Sequence, residues 1–343
     1  MMRRFLLLTL LLPLFCAGFG AGARAAKDSC SFTIKPMAFG SAVDIVTATG
    51  SSLKNTSAGY VTINCNNTNG LRASVCILIP SDATDARVMK WQGPPPNSLT
   101  PTSAKNGNLR FEIYMSDPDS LGASVWPKAL TDSSLITDFA PNESKTIHFY
   151  GKILSDQNTV SAGSYKGSFP INLRIFTYNA SDVPTFSCRD KGYLGTITQS
   201  PVEVTATISK TCTVKADNLV FPDQRIMTAE VRKESFVRVT CTMDVPYSIG
   251  LDDGSYPGGD TGRRMQNTKY PKGFISTNPA DFISYDLYSS TGPRWGNTKE
   301  QGAVSGEGSG NEQAVMVVGK IPIPKLQPAP ATYSDTITVT VTY

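Results

Sequence analysis

The sequence predicts an all-β chain folded as two tandem immunoglobulin-like β-sandwiches, the C-terminal one lacking its last strand. Three observations carry this reading. Short runs rich in Val, Ile, Thr, Tyr and Phe are separated by Gly, Pro, Asn and Asp turns. No sustained amphipathic helical pattern interrupts them. The landmarks of one half recur in the same order in the other.

At the N-terminus, Arg3 and Arg4 precede the apolar run FLLLTLLLPLFCAGFG and then small residues containing Ala23-Arg24-Ala25. This is the pattern of a cleavable secretory signal over residues 1–25, too short and too broken by Pro13 to suit a membrane span. Bulky Phe15 ahead of Cys16 argues against lipid attachment. Of the 32 basic residues, Arg3, Arg4 and Arg24 leave with the signal, so 29 remain against 28 acidic ones. The isoelectric point of about 8.6 is therefore largely the leader's. A nearly neutral mature chain gives no reason to expect a nucleic-acid partner.

Six cysteines remain: Cys30, Cys65, Cys76, Cys188, Cys212 and Cys241. An even number in an exported chain reads as disulfides. With one histidine and no C-x-x-C pair, no metal site and no cofactor are expected.

The repeat sets CSFTIKPMAFG, from Cys30, beside CTVKADNLVFP, from Cys212, with Cys and Phe nine apart in both. YVTINC matches FVRVTC, and HFYGKI matches MVVGKI. LRFEIYMSD, from Leu109, is set against FISYDLYSS, from Phe282, each followed by a tryptophan. AGSYKGSFPINLRIFTY, ending at Tyr178, matches PATYSDTITVTVTY, ending at Tyr343. In the first copy strands are expected near 31–36, 59–66, 73–80, 86–91, 109–115, 144–154 and 164–178. The pairs Cys30–Cys65 and Cys212–Cys241 would tie first strand to second in each copy. Cys76–Cys188 would pin a long loop to the sheet, a closure worth about 2–4 kcal/mol.

The copies differ at their ends. After FPINLRIFTY the first copy continues through a loop to the alternating strand VEVTATIS, whereas the second stops at Tyr343. Residues 26–199 are thus read as the N-terminal domain, 200–210 as a linker and donor strand, and 211–343 as the C-terminal domain. Val202, Val204, Ala206 and Ile208 would complete the first sandwich. Ile337, Val339, Val341 and Tyr343 would form an edge that accepts a strand from another molecule. Ahead of Cys30 a mature chain offers about four residues, too few for a leading strand of its own. A unit that accepts without donating occupies one end of a polymer.

In residues 212–343 the C-x8-F spacing, the VTC strand, YDLY, Trp295-Gly296, the loop GEGSG and the terminal YSDTITVTVTY resemble the spore coat protein U domain; the likeness is looser across residues 27–199. The resemblance implies pilin-type sandwiches and the archaic, Csu-type chaperone–usher pili of Gram-negative bacteria. It further implies a tip adhesin at the cell surface, a periplasmic chaperone, an outer-membrane usher and an adjacent pilin subunit as partners, and attachment to an abiotic or host surface in biofilm formation. The alternative is a secreted coat or shaft protein without dedicated binding.

Candidate surface-binding residues lie on apolar loops of the first copy. WQGPPPNSLTP carries Trp91, Pro94, Pro95, Pro96 and Leu99; DSLGASVWP carries Leu121, Val125 and Trp126; SDVPTFSC carries Val183 and Phe186. Trp126 matches Trp295 and equally suits a core position. No catalytic residue is expected: His148 sits in a strand motif where the second copy has Met316, and no G-x-S-x-G, P-loop or H-E-x-x-H pattern occurs.

Overall fold

A computed structural model describes residues 29–46, 56–67, 70–79, 87–93, 107–126, 135–179, 181, 196–259, 261–271, 273–290 and 292–343. The first domain contains β1 (Ser29–Lys35), β2 (Met37–Ala38), β3 (Thr56–Asn67), β4 (Arg72–Leu78), β5 (Val88–Gly93), β6 (Asn108–Tyr114), β7 (Leu135–Phe139), β8 (Ser144–Ile153), β9 (Gly163–Tyr178) and β10 (Thr196–Ile208). They bond in the order β1-β3-β8-β6-β5-β9-β10-β2, with β4 between β9 and β7. Along β9 alternate residues are buried, as the period of two requires. Phe169, Ile171 and Leu173 point into a core shared with Val61, Phe111 and Phe149. The sequence reading missed β2, which has two residues after Pro36, and β7; it also began β10 several residues late.

The second domain contains β11 (Cys212–Ala216), β12 (Val231–Cys241), β13 (Pro246–Leu251), β14 (Arg263–Asn267), β15 (Phe282–Ser289), β16 (Val304–Glu307), β17 (Glu312–Ile321), β18 (Tyr333–Ser334) and β19 (Val339–Thr342). One sheet runs β11-β12-β17-β15-β14-β18 and the other β16-β13-β19. Val237, Ile249, Tyr285, Leu287 and Trp295 meet between them.

Strand register fixes which residues of the copies are equivalent. Met89 pairs with Leu109, and Met265 with Ile283. Trp126 N donates to Ile113 O at 2.7 Å, and Trp295 N to Leu287 O at 2.8 Å. Leu109 therefore corresponds to Ile283, not to Phe282 as the sequence match had it. A slip of one residue turns every side chain of a strand to the opposite face. In the corrected register Phe111 stands with Tyr285, Glu112 with Asp286 and Arg87 with Arg263. Both arginines pair with the equivalent carboxylate and donate from Nη2 to the carbonyl of the repeated tryptophan. Trp126 is 2% exposed and Trp295 not at all. Trp126 is thus a core residue, which corrects its place among the surface candidates: the arginine and the strand β6 hold it inside.

Only residues 209–211 separate β10 from β11. Ser161 bridges Met243 in parallel register, and its hydroxyl donates to Asp244 Oδ2 at 2.5 Å in a buried position. Asn158 bonds Asn311, and Gly310 lies so close to the Asn158 carbonyl that a Cβ would come within 1.7 Å of it. Thr242 Oγ1 donates to Ser209 O at 3.1 Å. The two sandwiches are docked through these loops.

Candidate functional site

The site is built from the contrast between two equivalent edges. In the first domain β10 runs antiparallel to β9, from Thr196 opposite Ile175 to Ile208 opposite Gly163. It also runs parallel to β2, with Val204 beside Met37 and Thr205 beside Ala38. Phe39 N and Val43 N donate to Thr205 O and Thr207 O, each at 2.9 Å. Val202, Val204 and Ile208 have no exposed surface, and Ala206 is 3% exposed. Burial of each larger side chain is worth about 1.5–3 kcal/mol, so this one segment adds several kcal/mol to the first core.

The second domain repeats both walls of that slot. Leu219 and Phe221 follow Cys212 as Met37 and Phe39 follow Cys30. A Cβ on Gly151 would meet Met37 and Phe39 at 2.8 Å, and one on Gly319 would meet Leu219 and Phe221 at 2.8 Å. Phe39 lies edge-on to Phe111 at 6.1 Å, and Phe221 to Tyr285 at 6.3 Å. On the other side Lys90 pairs with Lys166, and Gln266 with Ser334. Tyr165 thus corresponds to Tyr333, and Phe169, Ile171 and Leu173 to Ile337, Val339 and Val341.

Among the described residues no strand lies between these walls. β19 pairs on one side with β13, and no described strand pairs with its other edge. Ile337, Val339 and Val341 are half-buried where their counterparts are buried, Val220 is 68% exposed and Tyr343 is 52% exposed. The sequence reading set its strand-acceptor edge at Ile337, Val339, Val341 and Tyr343, on one of these walls. It missed Leu219 and Phe221, although the shared C-x8-F spacing contained the signal. Tyr343 falls level with Ile175, not with Tyr178, so the match of the two terminal tyrosines is also corrected.

Asp335, at the position of Gly167, accepts hydrogen bonds from Tyr285 Oη at 2.7 Å and from the amides of Ser255 and Thr336 at 2.8 Å. Burial lifts its carboxyl above the usual carboxylate range. Burial, then the neighbouring Asp335, pushes the Tyr285 phenol up as well.

The described surface candidates lie in two separate places on the first domain. β6 pairs with β8 from Phe111 opposite Ile153 to Tyr114 opposite Tyr150, so it runs away from the junction loop 154–162. Leu121, fully exposed, and Val125, also exposed, follow it in the turn whose Asp119 pairs with Lys152 at 3.0 Å. β9 likewise starts beside the junction and ends far from it. Trp91 lies elsewhere: it pairs with Tyr165, is half-buried against the core and donates from Nε1 to Ala162 O at 3.2 Å. A Cβ on Gly163 would lie 2.3 Å from that nitrogen. β5 therefore ends, at Gly93 opposite Ser164, beside the junction. Pro94, Pro95, Pro96, Leu99, Val183 and Phe186 lie outside the described residues.

The disulfides Cys30–Cys65 and Cys212–Cys241 are formed. Cys76 is disulfide-bonded, while Cys188 lies outside the described residues. His148 sits on the outward face of β8, ring to ring with Tyr60 at 5.7 Å. No described helix is long and apolar enough to cross a membrane.

These features define a chain of two tandem pilin-type β-sandwiches. The Spore Coat Protein U domain matches residues 19–172 and again 198–340, and the chain belongs to that family. Among proteins of curated function, none matches it by sequence. Its fold is similar to a chain of the CsuC–CsuE chaperone–tip adhesion subunit pre-assembly complex from archaic chaperone-usher Csu pili of Acinetobacter baumannii. The identity is 16% over 91% of this chain and 100% of that one, with a TM-score of 0.51. The CupB6 tip adhesin of Pseudomonas aeruginosa is similar at 14% identity over 91% and 94%, TM-score 0.34. AggA, the major subunit of aggregative adherence fimbriae type I of Escherichia coli, is similar at 10% over 53% and 96%, TM-score 0.24.

Proposed function

We propose that the chain is the tip adhesin of a chaperone–usher pilus, joined to the filament through the open edge of its second domain. The observation that carries this reading is the position of β10. The second family match opens at residue 198, inside β10, yet β10 completes the first sandwich. A leading strand that belongs by sequence to one domain thus finishes the domain before it. The equivalent slot, between Leu219 and Ile337, takes a strand from outside: first a periplasmic chaperone's, then, at the outer-membrane usher, that of an adjacent pilin. Extended strands add to such edges through backbone hydrogen bonds, with alternate side chains in pockets. The likeness to the Csu pre-assembly complex supports the same reading.

Surface contact falls to the exposed apolar loops of the first domain. There Leu121 and Val125 stand exposed, and the loop carrying Val183 and Phe186 leaves the end of β9. Binding is by nonpolar burial at about 25 cal/mol per Å², multiplied by many pili per cell. Immunogold labelling of piliated cells tests the assignment. One label at filament ends is expected, with loss of labelled filaments and of biofilm when Val339 is replaced by Asp. Label along the shaft, or on a coat, would overturn it in favour of a shaft or coat protein.

A further inference from the structure

The first domain, with β10 in place, is a residue-by-residue template for what the second must receive. In β10 the side chain opposite Gly167 is Val204, fully buried. The position opposite in the second domain faces Asp335 instead. Around Asp335 the strand is interrupted: residues 335–338 lie between β18 and β19, Thr338 N donates to Asp252 Oδ1 at 2.9 Å and Thr338 O accepts from Asp252 N at 3.2 Å. Tyr285 reaches the carboxylate from the core, where the first domain has the hydroxyl-free ring of Phe111. The polar pair of Tyr285 and Asp335 thus replaces an apolar pocket with an acceptor.

A carboxylate offers about four acceptor positions. Ser255 and Thr336 amides occupy Oδ1, and the Tyr285 hydroxyl one side of Oδ2. Asp335 is half-buried in the open domain, so water reaches what is left. A strand seated as β10 is seated removes that water. A buried acceptor left without a donor is penalised, and valine has none to give.

We propose that Asp335 selects the incoming strand, which places a short hydrogen-bond donor (Ser, Thr or Asn) opposite it where the first domain has Val204. The inference rests on the strand-acceptor reading above. It makes the slots of the two domains non-interchangeable, so that β10 of a second copy is a poor occupant and self-polymerisation is disfavoured.

The test uses the full chain extended beyond Tyr343 by a flexible Gly/Ser linker and a copy of residues 196–208. One version keeps Val at the position copied from Val204 and another carries Thr. Stability of the second domain is read by hydrogen exchange of its amides. With Asp335 present, Thr is expected to raise protection about tenfold over Val; with Asp335→Gly, which restores the first domain's arrangement, the order reverses. Asp335→Asn serves where the glycine variant fails to fold, and the preference for Thr then shrinks. A preference indifferent to residue 335 overturns the inference and leaves the acceptor slot standing. Protection no higher with either strand than with a scrambled one overturns the slot itself.

Discussion

Arg263 donates from Nη2 to the carbonyl of Trp295 at 2.7 Å, and Arg87 makes the equivalent bond to Trp126 at 3.1 Å. Arg263 is fully buried; it also reaches Leu251 O and Asp252 O and pairs with Asp286. Removing one member of such a group leaves buried partners unmatched. Arg263→Met is therefore expected to destabilise the second domain by about 3–5 kcal/mol, seen as a lower urea midpoint. An unchanged midpoint would show that Arg294, the second partner of Asp286, carries the pair alone.

β10 should behave as part of the first domain. Val204→Ala is expected to cost it about 2 kcal/mol, with no change in protection of the second. A fragment of residues 26–210 should unfold cooperatively on heating, and one ending at Gln199 should aggregate. Equal behaviour of the two would reduce β10 to a linker.

Asp281 gives the second domain an acid limb. Lys269, then Ser276 and Tyr270, donate to its carboxylate and hold its pKa at about 2, below the ordinary 3.8. The unfolded chain therefore binds the extra proton first as pH falls. The stabilisation is fully present above the unfolded value and is lost as pH drops toward 2. Asp281→Asn is expected to flatten stability against pH in that window while leaving the limb above pH 5 unchanged. A limb that keeps its slope in the variant assigns the acid sensitivity to another group.

Trp91 and Leu121 should separate structure from contact. Trp91→Ala should lower the melting point of the first domain, since the ring is packed and bonded to Ala162 O. Leu121→Ser should leave stability within about 0.5 kcal/mol and reduce attachment of whole cells to plastic. Attachment unaffected by Leu121→Ser would move the contact to the loop between β9 and β10.

What could be read from sequence was whatever repeats with side chains of fixed chemistry. Cys30 and Cys212, Phe39 and Phe221, and Trp126 and Trp295 mark the same places in both sandwiches. Register within alternating strands was not readable this way. One-residue slips such as Leu109 against Phe282 keep much of the apolar content and reverse the faces. β2 escaped notice because it has two residues and is defined only by the strand lying beside it. The pairings of Arg87 with Glu112 and Arg263 with Asp286 were hidden because charged residues read as surface until burial pairs them. Trp91 closed the strand expected over 86–91 and also opened the proline-rich segment; it lies inside β5, half-buried against the core.

The three residues between β10 and β11 decide how the molecule carries tension. A pull on the second domain reaches Ile208 and is directed along the axis of β10, parallel to its thirteen-residue pairing with β9. In that direction the ladder is sheared, and its hydrogen bonds resist side by side, instead of unzipping one after another. On the far side of the joint the load enters β11 at Cys212, where the bond to Cys241 passes it covalently to β12. The connection is a lap joint in place of a hinge.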